Sequence, residues 1–388
     1  MKDERFKRIL TIDLPTKQSA FLWGPRKTGK TTLLREKFSN SIFVDFLRTD
    51  TFLEYTKAPF LLREHLLVKS EQAKKYPVIL DEVQKVPQIL DEVHWLIENK
   101  NLNFILCGSS ARKLKRGHAN LLGGRAWRFE LYPLVSKEIG EVDLLRALNH
   151  GMIPSHYQQH NAKRSLRGYV QDYLKEEVFN EGLTRNVPAF SRFFEAMGYG
   201  HGSLVNYSNI ARECGVSSKT VKEYYQILVD TLLGTFVLPF KRRQERQVIS
   251  KAPKFYLFDT GVAGAICKRT ISTEKGEVFG SAFEHFIYLE MLAHSSYHEI
   301  DYDIKFWRTK SGQEVDFILG SGEVAVEVKG SATVDRRALR PMKSFVELYK
   351  PKEAIVVCNE KRERLHSGIR IMPWRLFLKE LWRDSIIK

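Results

Sequence analysis

Apolar and polar positions alternate in three different ways along the 388 residues. Between residues 19 and 140, short apolar runs of strand length alternate with amphipathic stretches of helical period, the pattern of a parallel α/β domain. Ala20–Trp23 reads as a strand ending in a glycine loop, and Thr31–Phe38 as the helix that follows. Ser41–Phe46, Val78–Leu80 and Phe104–Cys107 read as further buried strands, and residues 125–132 supply a fifth. Residues 161–240 carry mainly helical periodicity and lead into a basic stretch, Lys241–Lys254, between Pro239 and Pro253. From Phe255 the pattern is mixed: an amphipathic helix near 280–293 precedes β-rich segments at 302–308, 314–319 and 323–328. Gly151–Pro154 interrupts the pattern as a break between units would. No solenoid repeat or low-complexity tract is present. The expectation is an α/β chain of three domains, 1–155, 156–252 and 253–388.

The first strand runs straight into Gly24-Pro25-Arg26-Lys27-Thr28-Gly29-Lys30-Thr31, a full GxxxxGK[ST] match before a helix start. Such a loop turns backbone N–H groups and a helix N-terminus toward phosphate, with Lys30 reaching the β- and γ-phosphates and Thr31 offering a hydroxyl to magnesium. Thr32 completes the candidate nucleotide contacts. About fifty residues on, Val78-Ile79-Leu80 ends in Asp81-Glu82. A strand delivers Asp81 to the metal at its C-terminal tip, and the adjacent Glu82 to the attacking water. Phe104–Cys107 ends in Gly108-Ser109-Ser110, where either serine is placed to cap the helix that follows. Arg125 and Arg128, just beyond Gly123-Gly124, are candidate fingers toward a nucleotide in a neighbouring subunit, or surface ion pairs.

Two further patterns concern nucleic acid. Tyr207–Leu228 (YSNIARECGVSSKTVKEYYQIL) has Ile210 and Ala211 on one apolar face, a turn at Gly215, a cap at Ser217 and a second apolar face of Val221, Tyr224 and Leu228. This is helix-turn-helix logic, with Ser218, Lys219, Thr220 and Lys222 placed to meet DNA, or a packing module that touches none. Thr235–Lys254 then reads as a winged hairpin bearing Lys241, Arg242, Arg243 and Arg246. Further on, period two puts Glu314 with Asp316 on one strand face and Glu327 with Lys329 on the next. A D…ExK constellation has Asp316 and Glu327 holding magnesium and Lys329 orienting water, with Glu284 as a third acidic ligand. His285, His294 and His298 show no tight ligand spacing and read as surface histidines.

Composition sharpens this picture at three points. The net charge of +16 favours contact with polyanions, although a basic surface also serves solubility alone. The four cysteines, Cys107, Cys214, Cys267 and Cys358, lie far apart and read as reduced thiols. No apolar run approaches ~18 residues and the N-terminus lacks a secretory pattern, so the expected setting is the cytoplasm, away from membranes.

FLWGPRKTGKTTL at 21–33, ILDEVQKVP at 79–87, CGSSARKL at 107–114 and GGRAWRFELYPL at 123–134 resemble bacterial and archaeal AAA-type P-loop ATPases that carry a C-terminal domain of uncertain function. KFYLFDTG at 254–261, GSAFEHFIYLE at 280–290, WRTKSGQEVDFIL at 307–319 and AVEVK at 325–329 are similar to segments of that C-terminal domain. The resemblance implies a P-loop AAA-type ATPase domain, a helical and winged-helix middle, and a C-terminal α/β domain of the restriction-endonuclease, PD-(D/E)XK-like, kind. It also implies ATP with Mg2+ as cofactors and ATP rather than GTP as nucleotide. At the end of Phe104–Cys107, similarity to AAA-type P-loop ATPases implies that Ser109 or Ser110 senses the γ-phosphate or positions water, and a helix cap is the alternative. DNA and a second copy of the chain are the candidate partners. Gly151-Met152-Ile153-Pro154 stands where Gly-Gly-x-Pro is usual. Two functions fit: an ATP-driven nucleic-acid enzyme, or a regulatory or assembly ATPase whose C-terminal domain is catalytically silent.

Overall fold

The computed structural model describes residues 6–15, 18–110, 122–174, 186–241 and 252–388. The chain divides into two compact units. One comprises Leu10–Pro133 with Asp230–Leu233; the other comprises Leu134–Val229 and Gly234–Lys388 with the N-terminal residues up to Ile9.

In the first unit, β1 (Ser19–Trp23), β2 (Phe43–Asp45), β3 (Val78–Asp81), β4 (Phe104–Gly108) and β5 (Ala126–Glu130) form a sheet in the order β2-β3-β4-β1-β5. Every pairing is parallel. β1, β3 and β4 are buried at every residue, which is why they read as unbroken apolar runs rather than alternating ones. β2, at the sheet edge, is half-buried. Phe21, Leu80, Phe104 and Leu106 share a core with Val93 and Leu96 of the Ile89–Lys100 helix. Because β3 and β1 both neighbour β4, the loops after all three leave from one edge of the sheet, where open α/β sheets bind ligands.

The second unit contains β6 (Gly234–Pro239), β7 (Lys254–Leu257), β8 (Ile304–Arg308), β9 (Glu314–Leu319), β10 (Val324–Lys329), β11 (Glu353–Cys358), β12 (Arg364–His366) and β13 (Ile369–Pro373). They form one mixed sheet in the order β12-β13-β11-β10-β9-β8-β6-β7. The Gly276–Tyr297 helix packs Phe283, Phe286 and Ile287 into a core with Phe317 and Val326. The Arg340–Tyr349 helix packs Met342 and Phe345 with Val315, Ile318 and Ala325. Adjacent residues such as Phe317 and Ile318 thus serve different cores, as period two requires.

The helices Tyr207–Cys214 and Ser218–Asp230 flank a turn in which Gly215 has φ 67°, and Ser217 Oγ accepts the Thr220 N–H at 3.1 Å. Ile210, Ala211, Val221, Tyr224 and Leu228 are buried. The β6–β7 hairpin packs on the second helix through Tyr225, whose ring lies 5.5 Å from Phe236 and 4.8 Å from Phe255. β6 also pairs parallel with β8, so the expected wing is continuous with the large sheet, and 234–239 is strand rather than helix.

The expected limits at 155 and 252 both fall inside the second unit. Gly151–Pro154 is a buried seam: Met152 N–H donates to Asp259 Oδ2 at 2.6 Å. Gly151 has φ 76°, and a Cβ there would collide with the Asp259 carboxylate. Asp259 Oδ1 also accepts the Val262 N–H at 2.9 Å, capping the Thr260–Ile266 helix. Glycine beside proline marks linkers and tight buried turns alike, and pattern alone does not separate them.

Candidate functional site

β1 runs into Gly24, where a Cβ would collide with the Leu131 carbonyl oxygen. Thr28 Oγ1 then donates to Pro25 O at 2.8 Å, and Lys27 and Gly29 have φ 61° and 92°. Left-handed residues within a tight loop turn successive N–H groups toward one side, the basis of an anion nest. The helix begins at Lys30. Its ammonium, buried, donates to Gly24 O at 2.7 Å and Pro25 O at 3.0 Å. Arg26 is half-buried, and Lys27 and Thr32 are exposed.

Thr31 Oγ1 donates to Asp81 Oδ2 at 2.6 Å, while the other carboxylate oxygen, Oδ1, is buried with no hydrogen-bond partner. A buried carboxylate oxygen left unsatisfied beside a hydroxyl suits a hard, oxygen-ligated cation. Glu82 follows in a left-handed conformation, φ 57°. Burial pushes its pKa above the usual carboxylate range, opposed by Lys30, the Gln84 hydrogen bond and Arg26. Gln84 Nε2 donates to Glu82 Oε2 at 2.5 Å and to Ser109 Oγ at 3.1 Å, tying the end of β3 to the end of β4. A Cβ at Gly108 would collide with Gln84 Oε1. Sequence reasoning passed over Gln84; the only hint was an amide two residues beyond the acidic pair. Burial, with the Asp81 charge second, holds the Cys107 thiol well above its usual value, so it is no nucleophile.

Arg125 does not join this edge. Ser19 pairs with Ala126 and Trp23 with Glu130, so β1 separates Arg125 from the phosphate loop by roughly 13 Å of strand. Its guanidinium pairs instead with Glu98 at the surface. Within its own chain Arg125 thus sits at the opposite end of β1 from the phosphate loop. Arg128 is exposed on β5, and Ser110 is buried beside Ser109.

The sequence-predicted carboxylates meet in the large sheet. β9 and β10 are antiparallel, with Phe317 opposite Val326. One step further Asp316 faces Glu327, and side chains replace the backbone ladder. Asp316 N–H donates to Glu327 Oε2 at 3.2 Å, and Val328 N–H to Asp316 Oδ2 at 2.8 Å. Lys329 Nζ lies 2.5 Å from Glu327 Oε1. Burial, then the neighbouring Glu327 and Glu284, drives the Asp316 carboxyl well above its usual range. Glu327 is raised by burial against the pull of Lys329.

Glu284 belongs to the same cluster and is held there by two neighbours. Its Oε1 accepts the Tyr256 hydroxyl and pairs with Lys254 Nζ at 3.3 Å. Lys254 also pairs with Glu314 Oε1 at 2.6 Å, and Arg308 with Glu314 Oε2 at 2.6 Å. Against the cost of its burial, Glu284, Asp316 and Glu314 hold the Lys254 ammonium protonated. The sequence hid Lys254 inside an apolar run, KFYL.

Two of the three histidines are not surface groups. His285 is fully buried, bonds Leu257 O through Nε2 at 2.7 Å and is pushed down to about 3 by burial. His294 is fully buried and His298 half-buried. On the second helix of the 207–230 pair, Lys219 and Lys222 are exposed and Ser218 and Thr220 half-buried. Lys113–Arg116, Arg242, Arg243 and Arg246 lie outside the described residues. Among the described residues no helix is long and apolar enough to cross a membrane.

Residues 16–140 match the family model of an AAA domain. Residues 141–273 and 279–377 match two domains of unknown function, DUF8612 and DUF4143. The chain is 24% identical over 363 residues to an uncharacterized protein of Mycobacterium tuberculosis, covering 91% of this chain and 79% of the relative. An uncharacterized protein of Mycobacterium bovis gives the same figures. An uncharacterized protein of Haemophilus influenzae is 23% identical over 268 residues, 64% of each chain. The parallel sheet, the phosphate loop on β1 and the match over 16–140 together support an AAA-type ATPase family for the N-terminal part of the chain.

Proposed function

We propose that the chain binds ATP with Mg2+ and hydrolyses it at the edge of the parallel sheet where β1, β3 and β4 end. The loop from Gly24 to Gly29 would surround the β- and γ-phosphates with backbone N–H groups, and Lys30 would exchange its two carbonyl acceptors for phosphate oxygens. Thr31 and Asp81 would hold Mg2+, which neutralises charge developing on the phosphate oxygens. Glu82 would take the proton of the attacking water, and Gln84 and Ser109 would orient the carboxylate and the γ-phosphate. The Thr31–Asp81 pair with its unpartnered, buried Oδ1 carries this reading. Lys30→Ala is expected to remove Mg2+-dependent ATP turnover; turnover at the wild-type rate in that variant would sink the assignment.

The finer reading concerns nucleic acid. Asp316 and Glu327 would hold a second Mg2+ and Lys329 would orient water at a phosphodiester, with Lys219 and Lys222 on the helix that meets DNA. The apposed Asp316 and Glu327 with adjacent Lys329 favour it. The hold of Lys254 and Tyr256 on Glu284 favours the alternative, a regulatory or assembly ATPase with a catalytically silent C-terminal domain. Hydrolysis measured with and without duplex and single-stranded DNA, with the DNA inspected for cutting, separates the two. Cutting lost in Asp316→Ala while ATP turnover persists supports the nuclease; DNA-indifferent hydrolysis without cutting supports the switch. A finger role for Arg125 in a neighbouring copy is tested by mixing Arg125→Ala with Lys30→Ala and looking for restored turnover.

A further inference from the structure

Among the described residues, His294, His298 and Asp384 are the one set of three metal-capable side chains whose donor atoms lie within 4.8 Å of one another. The two histidines are one helical turn apart at the end of the Gly276–Tyr297 helix, with His298 as its C-cap. Asp384 follows the Trp374–Leu381 helix in a left-handed conformation, φ 55°, and this turn aims its carboxylate back at the imidazoles. Asp384 Oδ1 lies 3.0 Å from His294 Nε2 and 2.5 Å from His298 Nδ1.

The surrounding hydrogen bonds fix one tautomer. Tyr302 Oη donates its proton to Met291 O at 2.7 Å, so toward His294 Nδ1, 3.1 Å away, it offers only a lone pair. His294 therefore carries its proton on Nδ1, and neutral imidazole then directs the Nε2 lone pair at a carboxylate oxygen. With that tautomer His294 Nε2, His298 Nδ1 and Asp384 Oδ1 converge as donor atoms that a shared cation could join. Trp382 lines the other side, its ring 5.4 Å from His294 and 5.6 Å from His298, and is itself anchored by donating to Glu290 Oε2 at 2.7 Å.

We propose that His294 Nε2, His298 Nδ1 and Asp384 Oδ1 form a binding site for a divalent transition-metal ion, zinc in preference to magnesium. Two imidazole nitrogens and one carboxylate oxygen suit zinc, whereas magnesium takes oxygen ligands. The Met291–Tyr302–His294 relay is the outer-shell partner that metal-ligating histidines use to fix their ring. The Asp384 side chain is 43% exposed, leaving the ion a solvent-facing position. This site is separate from the ATP and carboxylate sites and does not depend on the function assigned to either.

The test is to strip the full chain with a chelator and titrate it with Zn2+ by calorimetry and with Co2+ by visible absorption. One equivalent of Zn2+ should bind, with tetrahedral d–d bands for Co2+ and a raised melting temperature. His298→Ala and Asp384→Asn, both at partly exposed positions, should abolish all three responses. Tyr302→Phe should weaken binding by about 10–100-fold. Glu327→Gln and Asp81→Asn should leave that equivalent intact. Absence of a Zn2+ equivalent in the wild-type chain, or one that survives both His298→Ala and Asp384→Asn, overturns the proposal.

Discussion

In the proposed mechanism Glu82 would act as a base held by two neighbours, Lys30 electrostatically and Gln84 by a 2.5 Å hydrogen bond. Its raised pKa means that the active, ionised form is populated only above the ordinary carboxylate range, so ATP turnover should fall on acidification earlier than an unperturbed glutamate predicts. Gln84→Ala removes a bond that lowers this pKa and should push the acid limb of kcat further up, with kcat reduced ~10-fold or more and KM little changed. A pH profile of kcat superimposable on wild type would leave Gln84 without this role. Glu82→Gln should cost about 10²–10⁴-fold in kcat while ATP still binds. Lys30, Thr31 and Asp81 were legible from sequence because their places follow from one strand and the turn after it. Gln84 and Lys254 were not, because what makes each matter, Ser109 for one and Glu284 with Glu314 for the other, arrives from a different element.

Elements were legible where short apolar runs are bounded by turns. The five strands of the parallel sheet and the segments now β8, β9 and β10 fall within a few residues of their expected places. At 151–154, read from sequence as a break between units, the structure has a turn locked to Asp259. Gly151→Ala adds a side chain at positive φ against the Asp259 carboxylate, and should destabilise the second unit by about 2–4 kcal/mol, more than the usual ~1 kcal/mol of a glycine substitution. Equilibrium denaturation measures it; a loss under ~1 kcal/mol means the seam yields easily. The edge hairpin β6–β7 escaped assignment to the large sheet because its neighbour, β8, lies some fifty residues beyond β7 in the chain.

Over the molecule as a whole, the buried Glu290 links three distant stretches: Ser136 donates its N–H and hydroxyl at 2.7 Å each, and Trp382 its indole N–H. Burial pushes Glu290 up to about 7 from an ordinary 4.5. A carboxyl raised on folding gives stability that is full below about pH 4.5 and is lost as pH rises through about 7. Relative to Glu290→Gln, the wild type should thus lose about 3 kcal/mol across that window; parallel stability curves would contradict the shift. Nothing in the composition foretold such a residue, since only the fold decides which glutamate is stranded. The Asp316–Glu327 pair has a consequence of the same origin. Two carboxyls buried face to face, in place of two ladder hydrogen bonds and unable to ionise together without setting like charges against each other, are a standing cost to the folded state, and natural proteins accept such costs where activity requires them. Asp316→Asn keeps the oxygen that accepts the Val328 N–H and cannot ionise, so above the ordinary carboxylate range, where a raised carboxyl costs stability, it should melt several degrees higher than wild type. The place where this chain gains stability by losing a carboxyl would then mark what selection has kept there, before any substrate is known.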